Sequence, residues 1–166
     1  MAGDIERIKR QEAELVFDRF DETVAFEIGS AIRERALAEN LPIVIDIRLW
    51  DRALFYAALP GSTAINANWA RRKINVVRMF LKSTYRMVLE QDRPDRTFKV
   101  GEGLDPADYV LAGGGFPIRV ANAGVVGVIA VSGLPERQDH EVIVAALCAH
   151  LGLDAGALAL SAAAAN

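Results

Sequence analysis

The sequence predicts an α+β domain, an antiparallel sheet flanked by helices, and two observations carry that prediction. Two pairs of short apolar runs are each joined by turn-forming residues, and the stretches around them carry helical periodicity with no strand–helix–strand repeat of the parallel kind. The element order along the chain reads α-α-β-β-α-(α)-β-β-α. At 166 residues the chain suits a single domain, 1–166, long enough to bury a core.

The clearest pair lies in residues 112–133, AGGGFPIRVANAGVVGVIAVSG. Runs 116–121 and 125–131 are separated by Asn122-Ala123-Gly124, where Asn and Gly supply the positive-φ positions of a short hairpin loop. The second run is apolar on both faces, which places it mid-sheet with both sides covered.

Taken in order, residues 4–20 put Ile5, Ile8, Leu15, Val16 and Phe20 on one arc of a helix, with Glu12 inside that arc. A second helix starts at the cap Asp21 and runs to about Glu39, turning Val24, Ala25, Ile28, Ala31 and Ile32 inward. Residues 41–49 and 54–59 form the other hairpin, and Val44, Asp46 and Arg48 alternate with Ile43, Ile45 and Ile47 to give one wetter face. A third helix spans about 66–81, with Trp69, Val76, Val77 and Phe80 on one arc, Lys73 among them, and Arg71, Asn75, Arg78 and Lys82 opposite. Ser83 caps a short helix through Leu89, residues 91–96 form a polar surface loop, and Asp105-Pro106 opens one helical turn. The final helix, from about Asp139 to Leu151, is apolar nearly all round and therefore central or at an interface. Beyond Gly152 the alanine-rich tail, from about 153, reads as a frayed end.

Hydrophobic residues make up 52% of the chain, an excess for which subunit contact is a natural outlet. A formal net charge of −3 lacks the basic bias of a nucleic-acid binder. The single cysteine, Cys148, excludes an intrachain disulfide and fits a reducing cytoplasm. The N-terminal residues alternate charges where a signal peptide would be apolar, and no apolar run reaches the roughly 20 residues that span a bilayer, so a soluble, cytosolic protein is expected.

Three motifs in order carry a family resemblance: Trp69 with Arg71-Arg72-Lys73; Gly113-Gly114-Gly115-Phe116-Pro117-Ile118; and residues 127–135 (GVIAVSGLP) followed by Asp139-His140. The chain resembles the GlcG/HbpS-like family over about residues 11–151, and within it the branch with longer N-terminal helices. The resemblance implies a profilin-like or PAS-like arrangement, dimers assembling into rings, and haem or corrinoid-related ligands in some relatives. It also brings the family's haem-degrading label, so haem enters as a cofactor through the resemblance alone.

The candidate site residues carry competing readings. Asp139-His140 is an acid–imidazole pair or an iron ligand in one, and a helix cap followed by a first-turn histidine in the other. Gly113, Gly114 and Gly115 with Phe116 and Pro117, and Ser132-Gly133 ahead of a helix N-terminus, cradle an anion or simply pack closely. Lys73 snorkels, meets a ligand anion, or pairs with a carboxylate, Glu12 or Asp139. Arg71, Arg72, Arg78 and Lys82 read as a solvated face, and Met79 and Met87 as core filler rather than haem ligands. His140 and His150 point about 80° apart on an ideal helix and make no paired metal site. No P-loop, HExxH, CxxCH or GxSxG occurs. The expected function is an oligomeric module whose crevice, near Trp69, Lys73, residues 113–117 and residues 132–140, takes a small anionic or tetrapyrrole-like molecule. A ring-forming adaptor is the alternative, and a haem-degrading enzyme ranks third.

Overall fold

The computed structural model describes residues 2–161. Its elements are α1 (Ala2–Glu14), β1 (Val16–Phe17), α2 (Glu22–Ala38), β2 (Val44–Leu49), β3 (Ala53–Ala58), α3 (Ala64–Phe80), α4 (Thr84–Gln91), a single 3-10 turn (Val100–Glu102), β4 (Gly115–Val120), β5 (Gly124–Ser132), α5 (Glu136–Leu151) and α6 (Ala155–Leu158). One five-stranded sheet has the order β1-β4-β5-β2-β3. The strand that is apolar on both faces, β5, is therefore central, pairing antiparallel with β4 on one side and β2 on the other. Asn122 and Gly124 hold φ of 63° and 81° in the β4–β5 loop, the left-handed conformations that those residue types tolerate best.

Helices cover both faces of the sheet. Ile45 and Ile47 of β2, Phe116 and Ile118 of β4, and Ile129 and Val131 of β5 pack against α2 and α5. Val44, Val128 and Ala130 meet Ala70, Ile74 and Val77 of α3 on the other side. The wetter face of β2 is the α3 face, and there the buried Asp46 carboxylate receives two hydrogen bonds from Arg48, at 2.9 and 2.8 Å. The outer side of α3 is covered by Met87, Phe98 and Leu111 around Val76, with Phe80 stacked on Phe98 at 5.2 Å.

The structure corrects several element readings. The first helix stops at Glu14 rather than Phe20, because Val16 and Phe17 gain more by pairing in parallel with Arg119 and Val120 at the sheet edge, and β-branched and aromatic residues suit that position. Asp21 caps α2 as expected, receiving the Val24 N–H, but Ala31 faces solvent. Asp105 opens a single turn as expected, its Oδ1 receiving the Ala107 N–H and its carbonyl the Asp108 and Tyr109 N–H groups. The all-round apolar α5 is explained inside the chain, by the sheet, α2 and α6, so its composition no longer argues for a subunit contact.

The tail reading is corrected too. Past the left-handed cap at Gly152, α6 docks Leu158 into the main core, and Leu160 packs with Ile8 and Tyr85. Gln11 Nε2 donates to the Leu158 carbonyl at 2.7 Å, and Arg7 and Arg137 donate to the Ala157 and Ser161 carbonyls. Residues 162–166, also part of the expected frayed end, lie outside the described residues. Leu158→Ala is expected to lower stability by about 2 kcal/mol in urea unfolding, the low end for a buried leucine at a segment free to relax; a change within about 0.5 kcal/mol would show that the tail is not docked.

Candidate functional site

Lys73 lies on the sheet-facing side of α3, one turn after Trp69. It does not snorkel: only 2% of the residue is exposed. Its ammonium donates to Asp139 Oδ2 and to the Val131 carbonyl, both at 2.9 Å. Asp139 lies 66 positions further along the chain and is itself 2% exposed.

Asp139 is not the helix cap that its sequence position indicated. The helix begins at Glu136 with Pro135 before it, where a ring-fixed φ and a missing N–H cost nothing. Asp139 therefore sits in the second turn and reaches back, its Oδ1 receiving the Leu134 N–H at 3.0 Å. The anion position expected at this helix start is thus filled by the protein's own carboxylate. Burial pushes the Lys73 pKa below its ordinary value, with attraction to Asp139 opposing the shift. Burial likewise pushes Asp139 up, against the pull of Lys73 and of the Leu134 and Gly133 N–H groups. Both shifts favour the same proton transfer, from ammonium to carboxylate, so the pair stands closer to its neutral form than such a pair does in water.

The pair forms the floor of a crevice of about 530 Å³. Helix α3 contributes Asn66 and Trp69, the segment before β4 contributes Leu111 and Ala112, and the β5–α5 connection contributes Ser132, Gly133, Leu134 and Pro135. Arg96 and Glu136 close the rim, Arg96 Nη1 lying 2.8 and 2.7 Å from the two Glu136 oxygens. Arg72 stacks on the Trp69 ring, 4.9 Å from its centroid.

Of the residues singled out from sequence, Trp69, Lys73, Ser132, Gly133 and Asp139 meet at this crevice; Gly113, Gly114, Gly115, Phe116, Pro117 and His140 do not line it. The glycines serve close packing. The Gly113 N–H goes to Glu136 and the Gly115 N–H to Thr84 Oγ1. At Gly114, where φ is +113°, a Cβ would lie 2.4 Å from the Val131 carbonyl and 2.8 Å from Lys73 Nζ. Gly114→Ala is expected to cost about 2–3 kcal/mol by thermal unfolding, combining backbone strain with displacement of the Lys73 ammonium; a neutral variant would show that the ammonium can be placed elsewhere. Phe116 and Pro117 are buried within β4. His140 is wholly buried against Tyr85 and Phe116 with Nε2 held by Gln11, so it is neither paired with Asp139 nor open to an iron.

Arg96, Glu136, Asn66, Leu111, Ala112 and Leu134 were not singled out. Arg96 sits in a loop that reads as solvent-exposed, and only chain folding brings it 40 positions forward to Glu136. Local sequence carries no signal for that pairing. Arg71 and Arg72 hold the 106–109 loop, Arg78 binds the Trp50 carbonyl and Lys82 pairs with Glu90. Met87 is core and Met79 is exposed, while His150 lies 3.8 Å from Glu27. Among the described residues no three His, Cys, Asp or Glu gather as a metal site, and no helix is long and apolar enough to cross a membrane.

A five-stranded sheet, antiparallel except at its β1 edge and covered by helices on both faces, with a half-open crevice beside its central strand, defines an α+β domain. The chain belongs to the HbpS-like family, described as "Haem degrading protein HbpS-like", whose sequence model matches residues 20–148. It is 71% identical over 161 residues to a UPF0303 protein of Mesorhizobium japonicum, covering 97% of this chain and 96% of that one. Among solved structures it is similar to the Ybr137w protein, with a TM-score of 0.81 at 25% identity over 89% of this chain and 87% of the other. It also shares its fold with the protein of a PduOC:haem complex, with a TM-score of 0.64 at 19% identity over 81% of this chain and 95% of that one.

Proposed function

We propose that this protein is a small-ligand-binding module of the HbpS-like kind, its ligand seated in the crevice between α3 and the start of α5. The observation that carries the reading is the buried Lys73–Asp139 pair in the floor of a crevice of about 530 Å³, because perturbed ionisable groups gathered in a concavity are candidates for a functional site. The charged residues lining it close in two pairs, Lys73 with Asp139 and Arg96 with Glu136, which favours a neutral organic molecule over the anion expected from sequence. Trp69, Leu111, Leu134 and Pro135 supply apolar wall for such a molecule.

Haem has support from the family's description and from the haem complex of the similar PduOC protein. The crevice does not fit its iron, since none of the lining residues is His, Cys, Met or Tyr, the usual axial ligands. The module works as a homo-oligomer in this reading, supported by the outer edge of β3 and by the exposed Phe26 and Tyr56, at 64% and 52%. That surface equally favours the ring-forming adaptor. The buried Cys148 agrees with a reducing, cytoplasmic setting.

Native mass spectrometry of protein purified without denaturation tests the binding reading. A stoichiometric small molecule is expected, with affinity reduced at least tenfold in Trp69→Ala. Haemin and metal-free protoporphyrin should behave alike, and His140→Ala should leave their spectra unchanged. A ligand indifferent to Trp69 would move the site elsewhere, and an iron-dependent Soret band lost with His140 would restore the haem assignment.

A further inference from the structure

The crevice holds one feature that reversible binding does not require, a desolvated amine at its floor. The chain has four lysines. Lys9 and Lys99 are exposed and Lys82 is paired with Glu90 at the surface, whereas Lys73 alone is buried. Its ammonium has three protons, and among the described residues two acceptors meet them, the Val131 carbonyl and Asp139 Oδ2. Gly114 packs its backbone directly beside the pair, where a Cβ would come within 2.8 Å of Nζ. Trp69, one turn earlier on the same helix face, sets a flat apolar wall on the crevice.

The geometry points to covalent capture of a small apolar aldehyde as an imine on Lys73 Nζ, with Asp139 as the proton partner. This rests on the crevice being the binding site. In the neutral form of the pair, the Nζ lone pair attacks the carbonyl carbon and the C=O π pair moves to oxygen, which takes the Asp139 proton; the carbinolamine nitrogen is then cationic. That nitrogen passes one proton to the Asp139 carboxylate, which returns it to the hydroxyl oxygen. The C–O bond breaks, water leaves, and the nitrogen lone pair closes the C=N bond. Amine, carboxylic acid and aldehyde become a protonated imine, a carboxylate and one water, with no change of oxidation state. The product restores a cation–anion pair at the same two positions, so the capture leaves no new unpaired charge buried. The lowered Lys73 and raised Asp139 pKa values are in the sense this sequence needs. An ordinary exposed lysine at pH 7 is neutral in only about one molecule in 2,500, from its pKa of about 10.4.

The test uses benzaldehyde with cyanoborohydride at pH 7, followed by peptide mapping over Lys9, Lys73, Lys82 and Lys99. One benzyl group on Lys73 is expected, forming at least tenfold faster than on any other lysine and suppressed by benzyl alcohol as an unreactive competitor. Lys73→Arg, which keeps a cation for Asp139, should abolish that adduct while circular dichroism stays native. Asp139→Asn should slow labelling and move the acidic limb of its rate profile to lower pH, since the carboxylate no longer holds the ammonium proton; an unmoved limb would remove Asp139 from the scheme. Benzyl alcohol binding that depends on Trp69, with label spread evenly over the four lysines, would overturn the capture and leave the crevice reading intact. Loss of both benzyl alcohol binding and Lys73 labelling would overturn the two together.

Discussion

Lys73→Met is expected to destabilise the protein by about 3–5 kcal/mol at pH 7. Methionine retains much of the lysine stem's apolar volume, so the packing of the buried stem changes little. The loss comes from Asp139, which would keep the Leu134 N–H but lose its cation in a site where the residue is 2% exposed. A carboxylate stranded there has its folded-state pKa raised above the unfolded value, so the penalty is full above the folded pKa and shrinks as pH falls toward the unfolded value, where the group is protonated in both states. Urea unfolding at pH 7 and pH 5 reads both parts. Adding Asp139→Asn should recover a substantial part of the loss, and the double-mutant coupling energy identifies the pair as the source. A single variant within about 0.5 kcal/mol of the parent would mean that the ammonium is not held as described.

Between pH 7 and pH 4 the folded state is expected to lose about 3 kcal/mol through His140 alone. Burial pushes this imidazole from 6.5 down to about 3, and the nearby Arg137 charge adds to the effect. The geometry explains why. Gln11 spends its Nε2 on the Leu158 carbonyl, so its Oε1 accepts from His140 Nε2–H, and His140 Nδ1 faces no partner among the described residues. Protonation would place a second N–H there with nothing to receive it. With the folded pKa below the unfolded one, this stability is complete above 6.5, falls by about 1.4 kcal/mol per pH unit below it, and stops falling near 3. Other groups titrate in the same range, so the measurement compares the pH slope of the parent with that of His140→Gln, which carries no titratable ring. Equal slopes would refute a neutral buried imidazole.

The sequence by itself determined the parts that depend on local backbone preference and on apolar period. Asn122 and Gly124 define a hairpin because few other residues accept positive φ, Asp21 starts α2 because its side chain reaches the Val24 N–H, and β5 is central because residues 125–131 are apolar on both faces. Lys73 stood out because a charge on an apolar arc must be accounted for, and Asp139 was one of the two partners named. Glu12, the other, instead receives the Ser83 N–H and an Arg86 ion pair. Only the tertiary structure decided among contacts of equal local plausibility. Val16 and Phe17 could extend a helix until the β4 edge offered a partner, and the tail could fray until the Gln11 amide and a gap beside Ile8 received it. The glycines could cradle an anion until α4 and α5 closed over their N–H groups. The rim of the crevice joins Arg96 to Glu136 across 40 positions, and its floor joins Lys73 to Asp139 across 66. Such pairings depend on which surfaces the sheet brings face to face, and that information lies in no window of the chain short enough to show a period.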